Sequence, residues 1–422
     1  MADPRRLPPP AVRAMASRSA LAPLREPLFR SLWIAAAISY IGKWLQMVGA
    51  AWLMTQLTPS PFMVGLVQAA IMLPVFLVIL PAGALADIVD RRRFLMATQT
   101  WMVAAAASLG ILTLLGHVTP WVLVLFTFLL GLGAVINDPA WQAITPEVAS
   151  PENYVAAVAL NSVAFNVARA VGPALGGFVI AATNSGVAFL MNAAGFTGVI
   201  IFLYRWRRPR VESGDRERIV QSLRSGLRYV RSAPLVHCVL VRTAAFSVAA
   251  SSLLALLPLI ARPYGASGYG LLLGSFGVGA LAGAGVLPHF RMRQPVDRLI
   301  AGASMIFALM TFTSGRLESF AWLLAVLFLA GGAWITIVAC LNVAAQTMAP
   351  VGMRARAISV YLLVLQGGMA LGSAGWGALA TKFGVPGTML SSAAALVAGL
   401  AAVRRYRLEL GEPELTPTVS AD

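Results

Sequence analysis

Long apolar runs, separated by short polar connections, make up most of the chain. Each run is about 20 residues long, which is the length that an α-helix needs to cross the hydrocarbon core of a bilayer. The pattern therefore predicts an all-α membrane protein with twelve transmembrane helices. The predicted spans cover residues 31–55, 62–85, 94–115, 120–140, 156–181, 185–204, 236–260, 269–288, 298–314, 320–342, 355–379 and 384–403.

The longest polar connection lies at residues 205–235 and separates six spans from six. We therefore predict two six-helix bundles at residues 30–204 and 236–405, and cytoplasmic tails at residues 1–29 and 406–422. The N-terminal tail is rich in Pro and Arg without an apolar core, so we expect it to be disordered. Within the connection, apolar residues recur at helical spacing between arginines, which predicts a basic amphipathic helix on the inner membrane face. A solvated linker helix is the alternative.

The two halves also repeat short sequences. Gln142-Ala-Ile-Thr-Pro146 has a counterpart in Gln346-Thr-Met-Ala-Pro350, and the pair Gly172 and Gly177 has one in Gly372 and Gly377. Parallel repeats of this kind are typical of transporters built from two bundles around an axis along the membrane normal. The repeats predict pseudo-symmetry between the two bundles.

The distribution of charged residues along the chain predicts how it is oriented in the membrane. Charged residues make up 11% of the chain, against about a quarter in soluble proteins. If the N-terminus is inside, the cytoplasmic segments carry 26 Lys and Arg residues and the outer loops carry three. This asymmetry predicts that both termini are cytoplasmic. The net charge of +16 is therefore explained by the basic cytoplasmic segments, and we expect no nucleic acid partner.

Residues for enzymatic chemistry are scattered. The histidines His117, His237 and His289 lie in separate segments with no carboxylate cluster, and the two cysteines show no metal or disulfide spacing. A membrane-embedded enzyme would need such a cluster, so this alternative is weak. No phosphate-binding Gly-rich loop with its Lys is present, which argues against ATP-driven transport. We expect no cofactor and no metal.

The loop Gly83-Ala-Leu-Ala-Asp87-Ile-Val-Asp90-Arg91-Arg92-Arg93 lies between the second and third spans. It resembles the signature Gly-x-x-x-Asp-(Arg/Lys)-x-Gly-(Arg/Lys)-(Arg/Lys) of the major facilitator superfamily, and the resemblance extends over residues 28–405. Two positions depart from the signature, since Ile88 replaces a basic residue and Asp90 replaces the second Gly. The resemblance implies a transporter whose two bundles rock about a central site.

The same resemblance implies roles for five residues of a cytoplasmic latch: Gly83, Asp87, Arg91, Arg92 and Glu147. Gly83 lets its helix approach a neighbour closely. Asp87 would face the start of the eleventh helix, and Arg91 would pair with Glu147, which would hold the bundles together on the inner side in the outward-open state. In the alternative interpretation the arginines only set topology.

A second motif, Gly172-Pro173-Ala-Leu-Gly176-Gly177, is similar to the fifth-helix motif of export-type members of the superfamily. Small residues permit close packing and Pro173 can kink the helix, so the fifth helix would pack on the eighth and close the outer half of the pathway. Generic helix packing is the alternative. Residues 130–148 and 159–177 are also similar to the branch with enterobactin and macrolide efflux proteins, which implies export of a small molecule through a bacterial inner membrane.

Two basic residues, Lys43 and Arg169, lie deep within predicted spans, where charges are costly and usually face a cavity or a partner. No Asp or Glu lies at mid-depth, so we expect a cavity without counter-charges that favours an anionic or zwitterionic substrate. The missing carboxylate argues against proton antiport, although Lys43 could itself exchange a proton. The predicted cavity residues are Lys43, Gln46, Gln68, Asn137, Asn161, Asn166, Arg169 and Trp334; each polar one has an alternative role in binding helices together.

Together these patterns predict a monomeric secondary transporter in the bacterial inner membrane. Its substrate is expected to be a small organic molecule, siderophore-like or drug-like, and a proton is a further candidate partner. A lipid or lysophospholipid flippase on the same fold is the alternative.

Overall fold

The computed structural model describes residues 20–88, 90–206, 234–350 and 353–403, with the side chains of 79–88, 234–236 and 355 left aside. Throughout these ranges the chain forms helices and turns, with no β-strand. The predicted all-α class is therefore confirmed.

The first half contains six long helices. These are α1 (Pro27–Leu57), α2 (Pro61–Ile88), α3 (Arg91–Leu114), α4 (Pro120–Gln142), α5 (Tyr154–Ala182) and α6 (Ser185–Arg205), with a short helix Thr145–Val148 between α4 and α5. Three of them begin at proline, which lacks the N–H that a first helical turn would leave unpaired. Side chains cap others: Asp90 accepts from the Arg93 N–H at 2.8 Å, and Asn184 accepts from the Val187 N–H at 3.1 Å.

The second half contains α7 (Pro234–Ile260), α8 (Gly265–Arg291), α9 (Val296–Ser314) and α10 (Phe320–Thr347), followed by the helical stretch Arg354–Ala402. This stretch breaks at Gly384, whose φ of 70° and ψ of 174° are accessible to glycine and costly for other residues. The break divides it into α11 (354–383) and α12 (385–402). The predicted twelfth span also begins at residue 384.

Nine helices in the described part of the chain are long and apolar enough to cross a membrane. Two of the nine, His237–Arg291 and Arg356–Ala402, each contain two of the helices named above. Helix α1 is 31 residues long but is not among the nine. A polytopic membrane protein is therefore shown, and the count of twelve crossings stays a prediction.

Helix contacts group the chain into two sets. In the first set α1 packs on α5 and α6, α2 on α4, and α3 on α4 and α6. In the second set α7 and α9 pack on the stretch Arg354–Ala402, and α10 packs on α8 and α9. Between the sets, α2 packs on the stretch Arg354–Ala402 and α5 packs on α8. The predicted domain boundaries at 30–204 and 236–405 are compatible with these sets and stay predictions.

The chain outside the helices differs from the prediction in one place. The predicted disordered tail reaches residue 29, but Ala22–Arg25 forms a 3₁₀ helix, α1 starts at Pro27, and Phe29 is fully buried. Apolar burial of Phe29 and Pro23 orders this part. Residues 1–19, the greater part of the predicted amphipathic helix (207–233) and the C-terminal tail lie outside the described residues.

Candidate functional site

The helices leave a cavity of about 490 Å³ between α1, α4 and α5. It lies toward the predicted cytoplasmic end, the end of the helices that carries Asp90 and residues 143–153. Its volume is within the range of about 300–1,000 Å³ that small-molecule sites occupy. Polar and aromatic side chains line it, among them Tyr40, Lys43, Asp138, Trp141, Asn161 and Asn166.

Lys43 and Asp138 form an ion pair in this cavity. The Lys43 Nζ lies 3.5 Å from the Asp138 Oδ1, and the side chains are 35% and 51% exposed. The expectation that Lys43 lacks a counter-charge is therefore wrong. Asp138 lies near the end of α4, but α4 crosses α1 so that the carboxylate comes within reach of the ammonium. The two residues are 95 positions apart, and no local pattern connects them.

Asn137, the neighbour of Asp138, faces away from the cavity. Its Oδ1 accepts hydrogen bonds from the Thr98 hydroxyl at 3.0 Å and from the Gln99 amide at 3.2 Å, and the side chain is 2% exposed. Successive residues of a helix point about 100° apart, so only one of the two can face the cavity. The predicted cavity role of Asn137 is corrected: it connects α4 to α3.

Two predicted amides of α5 do line the cavity. Asn161 donates to the Thr145 hydroxyl at 3.0 Å, and its Oδ1 is buried without a partner. Asn166 donates to the Ser162 carbonyl at 2.8 Å. Half-buried Gln68 and Arg169 line neither this cavity nor the second cavity described below.

Trp334 is not a cavity residue. It is 8% exposed, and its ring lies 5.3 Å from that of Phe246, 5.9 Å from Phe307 and 6.3 Å from Phe276, measured between centroids. These four rings form a core among α7 to α10. The predicted cavity role of Trp334 is corrected, because its indole packs against three aromatic rings of the second half.

Three aromatic residues complete the cavity wall, and two of them, Tyr40 and Phe165, were not predicted from the sequence. Tyr40 and Phe165 pack edge to face at 5.5 Å, and the Trp141 indole N–H donates to the Tyr40 hydroxyl at 3.2 Å. All three line the cavity beside Lys43. The positions of Tyr40 and Phe165 follow from how α1 and α5 are rotated, so no sequence signal was available for these two.

A second cavity of about 250 Å³ adjoins the first. The two share Tyr40, Lys43 and Phe165 as lining residues. The second cavity extends into the first set of helices and includes Gln46, which is 9% exposed and accepts from the Asn192 amide at 3.4 Å. A charged cavity therefore continues into a smaller, more apolar one.

The structure shows side-chain contacts for three of the five predicted latch residues. Arg91 pairs with Glu147 and also donates to the Ala143 carbonyl at 3.1 Å, while Arg92 donates to the carbonyls of Leu203 and Tyr204 at 2.7 and 2.8 Å. These contacts lie within the first set of helices and hold α3 to its neighbours. Gly83 and Asp87 are part of α2, but only the backbone of this segment is described. A contact of Asp87 with α11 thus stays a prediction.

The fifth-helix motif faces two neighbours. An added Cβ on Gly172 would lie 2.7 Å from the Trp44 Cβ, and one on Gly176 would lie 3.3 Å from the Leu45 Cα, both on α1. One on Gly177 would lie 2.9 Å from the Gly270 Cα on α8. Pro173 is buried between them. The motif therefore lets α5 approach α1 on one side and α8 on the other.

The two sets of helices are packed together at the opposite, predicted periplasmic end, which carries residues 58–60, 183–184 and 261–264. The Arg262 guanidinium donates to the Thr55 carbonyl at 2.5 Å, and the rings of Trp52 and Tyr269 stack at 6.4 Å. An added Cβ on Gly377 of α11 would lie 3.1 Å from the Phe62 Cα at the start of α2. These contacts join α1 and α2 to α8, to α11 and to the turn between α7 and α8, beyond the cavity.

A buried cation outside these cavities, Arg242 on α7, pairs with Asp297 at the start of α9 and is 8% exposed. Among the residues that the structure describes, no group of three or more His, Cys, Asp or Glu side chains could hold a metal. The chemistry of the site is therefore that of charge pairing, amide hydrogen bonds and aromatic surfaces.

Comparison with known proteins adds the family. A profile of the transmembrane secretion effector family matches residues 18–420. The enterobactin exporter EntS of Citrobacter koseri is 26% identical over 415 residues, which cover 93% of this chain and 96% of that exporter. The staphyloferrin A transporter of Staphylococcus aureus is 28% identical over 155 residues, which cover 36% of this chain and 39% of that transporter.

Solved structures show the same fold at low identity. A variant of the nucleoside transporter NupG matches with a TM-score of 0.76 and 12% identity, covering 90% of this chain and 99% of that one. A bacterial homologue of the human lysosomal transporter Spinster, in an inward-facing and occupied conformation, matches with a TM-score of 0.71 and 15% identity, covering 92% and 98%. The predicted resemblance to the major facilitator superfamily is confirmed, and neither a flippase nor an enzyme is favoured. The chain belongs to the transmembrane secretion effector family of this superfamily, and it is a secondary transporter of small molecules across a membrane.

Proposed function

We propose that the protein exports an anionic or zwitterionic small organic molecule, siderophore-like in character, from the cytoplasm across the bacterial inner membrane. The observation that carries this proposal is the Lys43–Asp138 pair in a cavity of about 490 Å³. The relatives named for enterobactin and staphyloferrin A support the substrate class. The packed predicted periplasmic end supports a cavity that faces the cytoplasm.

The ion pair is suited to exchange. Both side chains are about a third or more exposed and 3.5 Å apart, so water screens their attraction and the pair contributes only about 0–1 kcal/mol. An anionic group of the substrate can therefore replace Asp138 as the partner of Lys43 at little cost. When the substrate leaves, Asp138 pairs with Lys43 again, and the empty carrier does not return with a bare cation in the bilayer.

The membrane potential can drive the export of an anion. The cytoplasm is negative, so each negative charge that leaves gains about 2.3 kcal/mol per 100 mV. Proton coupling is the second candidate, and the half-exposed carboxylate of Asp138 in the cavity is the observation that favours it. An imposed pH gradient at zero membrane potential supports export in the second case and fails to do so in the first.

Alternating access requires the two sets of helices to part at the predicted periplasmic end and to close at the predicted cytoplasmic end. In this proposal the α5–α8 glycine contact and the Arg262–Thr55 hydrogen bond open, and the start of α3, with Arg91 and Arg92, approaches α11. We further propose that the protein acts as a monomer with both termini in the cytoplasm.

Transport into inside-out vesicles tests the proposal, with enterobactin and staphyloferrin A as test compounds. Lys43→Met is expected to lower transport about ten- to a hundred-fold, because a hydrogen bond to a charged group contributes about 1.5–3 kcal/mol. Lys43 and Lys382 are the only lysines of the chain, so Lys382→Met is a matched control and should transport normally. Normal export of an anionic compound by Lys43→Met would overturn the proposal.

Asp138→Asn separates the two halves of the cycle. This variant keeps Lys43 free for the substrate but removes its counter-ion in the empty carrier. Exchange of labelled for unlabelled substrate should therefore persist, while net transport falls. Equal losses in both assays would contradict the role of Asp138 as a returning partner.

A further inference from the structure

An apolar groove of about 440 Å³ runs along the outside of the second half, between α8 and α9. Helix α10 packs against both of these helices and forms the floor of the groove, whereas α8 and α9 make little contact with each other. Val286, Phe290, Ile306 and Leu329 line the groove, and each is about half exposed. The groove therefore opens on the surface that faces the bilayer.

Small residues keep the groove open. An added Cβ on Gly283 of α8 would lie 2.8 Å from the Gly332 Cα of α10, so the floor is close to the wall. An added Cβ on Gly302 of α9 meets no atom within 4 Å, so the space in front of this residue is free. The hydroxyl group of Thr336, which also lines the groove, donates to the Gly332 carbonyl at 2.8 Å. Along its length the groove therefore offers apolar surface.

The dimensions of the groove match one acyl chain. Its lining residues on α8 run from Gly279 to Phe290, which is about 16 Å along the helix at 1.5 Å per residue. The hydrocarbon core of a bilayer is about 30 Å thick, so one leaflet accounts for about 15 Å. Gly279 lies near the middle of α8 and Phe290 lies beside its predicted cytoplasmic end. The groove therefore has the length and the depth of an acyl chain in the inner leaflet.

Three arginines lie at the predicted cytoplasmic end of the groove. Arg298 lines the groove itself, while Arg291 and Arg293 lie at the end of α8 and in the turn that follows, and all three are exposed. None of the three pairs with a carboxylate among the residues that the structure describes. Asp297 lines a different cavity, where it pairs with Arg242. Positive charge therefore collects where the apolar groove meets the level of the lipid headgroups.

We propose that this groove binds one anionic phospholipid of the inner leaflet, with an acyl chain in the groove and the phosphate group at Arg298. Basic pockets between membrane helices on the cytoplasmic side are suited to anionic headgroups, and a guanidinium can donate two hydrogen bonds to one phosphate. A zwitterionic lipid offers the same chain but brings a second cation to the arginines. The groove lies in the second half, away from the cavity that contains Lys43, so the inference does not depend on the proposed substrate.

Native mass spectrometry of the purified, detergent-solubilised protein tests the inference. The protein is titrated with phosphatidylglycerol or with phosphatidylcholine of identical acyl chains. We expect phosphatidylglycerol to bind at least about ten-fold more tightly, because each basic residue near an anionic lipid contributes a factor of about five. Equal affinities would overturn the inference. Glycerol 3-phosphate should not displace the lipid, and displacement would overturn the role of the groove.

Arginine variants locate the headgroup. Arg298→Gln should weaken phosphatidylglycerol binding about five-fold and leave phosphatidylcholine binding unchanged. Arg316→Gln removes an arginine near the other end of α9 and should change neither affinity. If Arg298→Gln bound phosphatidylglycerol as tightly as Arg316→Gln does, the phosphate would not lie at Arg298 and the proposal would be wrong.

Glycine variants locate the acyl chain. Gly302→Leu places a side chain in the groove and should weaken the binding of both lipids by a similar factor. Gly285→Leu is the matched control, because an added Cβ there also meets no atom within 4 Å, but Gly285 does not line the groove. Both substitutions enter open space, so the unfolding temperatures of the two variants without added lipid should agree. Equal lipid binding by the two variants would show that the chain lies elsewhere.

Discussion

Replacement of Gly270 by alanine should open the contact between α5 and α8. An added Cβ would lie 2.8 Å from the Gly177 Cα and 3.0 Å from its nitrogen, and it would overlap the Pro173 carbonyl oxygen. Carbon atoms in contact prefer about 3.5–4.0 Å, so the overlap is about 1 Å or less. All three neighbouring atoms belong to the backbone, so no side-chain rotation can relieve the clash.

The magnitude follows from a matched glycine on the same helix. Gly285 also lies in α8, but an added Cβ there meets no atom within 4 Å. Both replacements gain the helix propensity of alanine, about 0.8–1 kcal/mol, and only Gly270→Ala adds an overpacking cost of about 1–3 kcal/mol. The difference between the two variants isolates the contact. The clash in Gly270→Ala should therefore destabilise the closed predicted periplasmic end by about 1–3 kcal/mol.

Cysteine labelling measures this difference. Ala266 is 6% exposed, and its carbonyl lies beside Gly177. In a background without Cys238 and Cys340, Ala266→Cys should react slowly with an impermeant maleimide in intact cells when combined with Gly285→Ala. Combined with Gly270→Ala it should react about five- to a hundred-fold faster, as a shift of about 1–3 kcal/mol predicts. Equal labelling rates would refute the claim that this glycine contact closes the pathway.

Three further predictions concern stability, each read from thermal or denaturant unfolding of the purified protein. Trp334→Ala should destabilise the fold by about 3–5 kcal/mol, because it removes a buried aromatic ring, whereas a cavity residue would change transport alone. Asn137→Ala should cost about 1–3 kcal/mol by leaving the Gln99 amide unpaired, and a neutral result would contradict its position against α3. Hydrogen bonds from Ser150 and Asn153 lower the pKa of Glu26 below its usual 4.5, so its stabilising effect is present above that pH and is lost as the pH falls through the lowered pKa. The acid-induced loss should be smaller in Glu26→Gln, and an identical acid profile would contradict this role.

Motifs with a short sequence range predicted more of the site than isolated residues did. The pairing of Arg91 with Glu147 and the packing of Gly177 on α8 match expectations drawn from the family signature, although the first holds helices of one set together and does not itself bridge the two sets. The latch through Asp87 depends on side chains outside the described residues. The residues of a short motif are close in sequence and share one helix or turn. Their local geometry is therefore the same in every protein with this fold.

Isolated polar residues were harder to place. Asn137 and Asp138 differ by one position, yet one connects α4 to α3 and the other faces Lys43. Arg242 lies within the seventh predicted span, and only the structure shows that it is buried and paired with Asp297. Sequence shows how deep a residue lies along a helix, and it does not show which neighbour the residue faces.

That the chain is a bundle of membrane helices could be predicted from its apolar runs, because a segment needs about 20 mostly apolar residues to cross a bilayer. The sequence also predicted the family, through spacings that survive as short motifs. The carboxylate partner of Lys43 and the position of Trp334 in an aromatic core could not be predicted in this way. A membrane helix is apolar on the lipid side and on the packed side alike, so contacts with helices distant in sequence set its rotation.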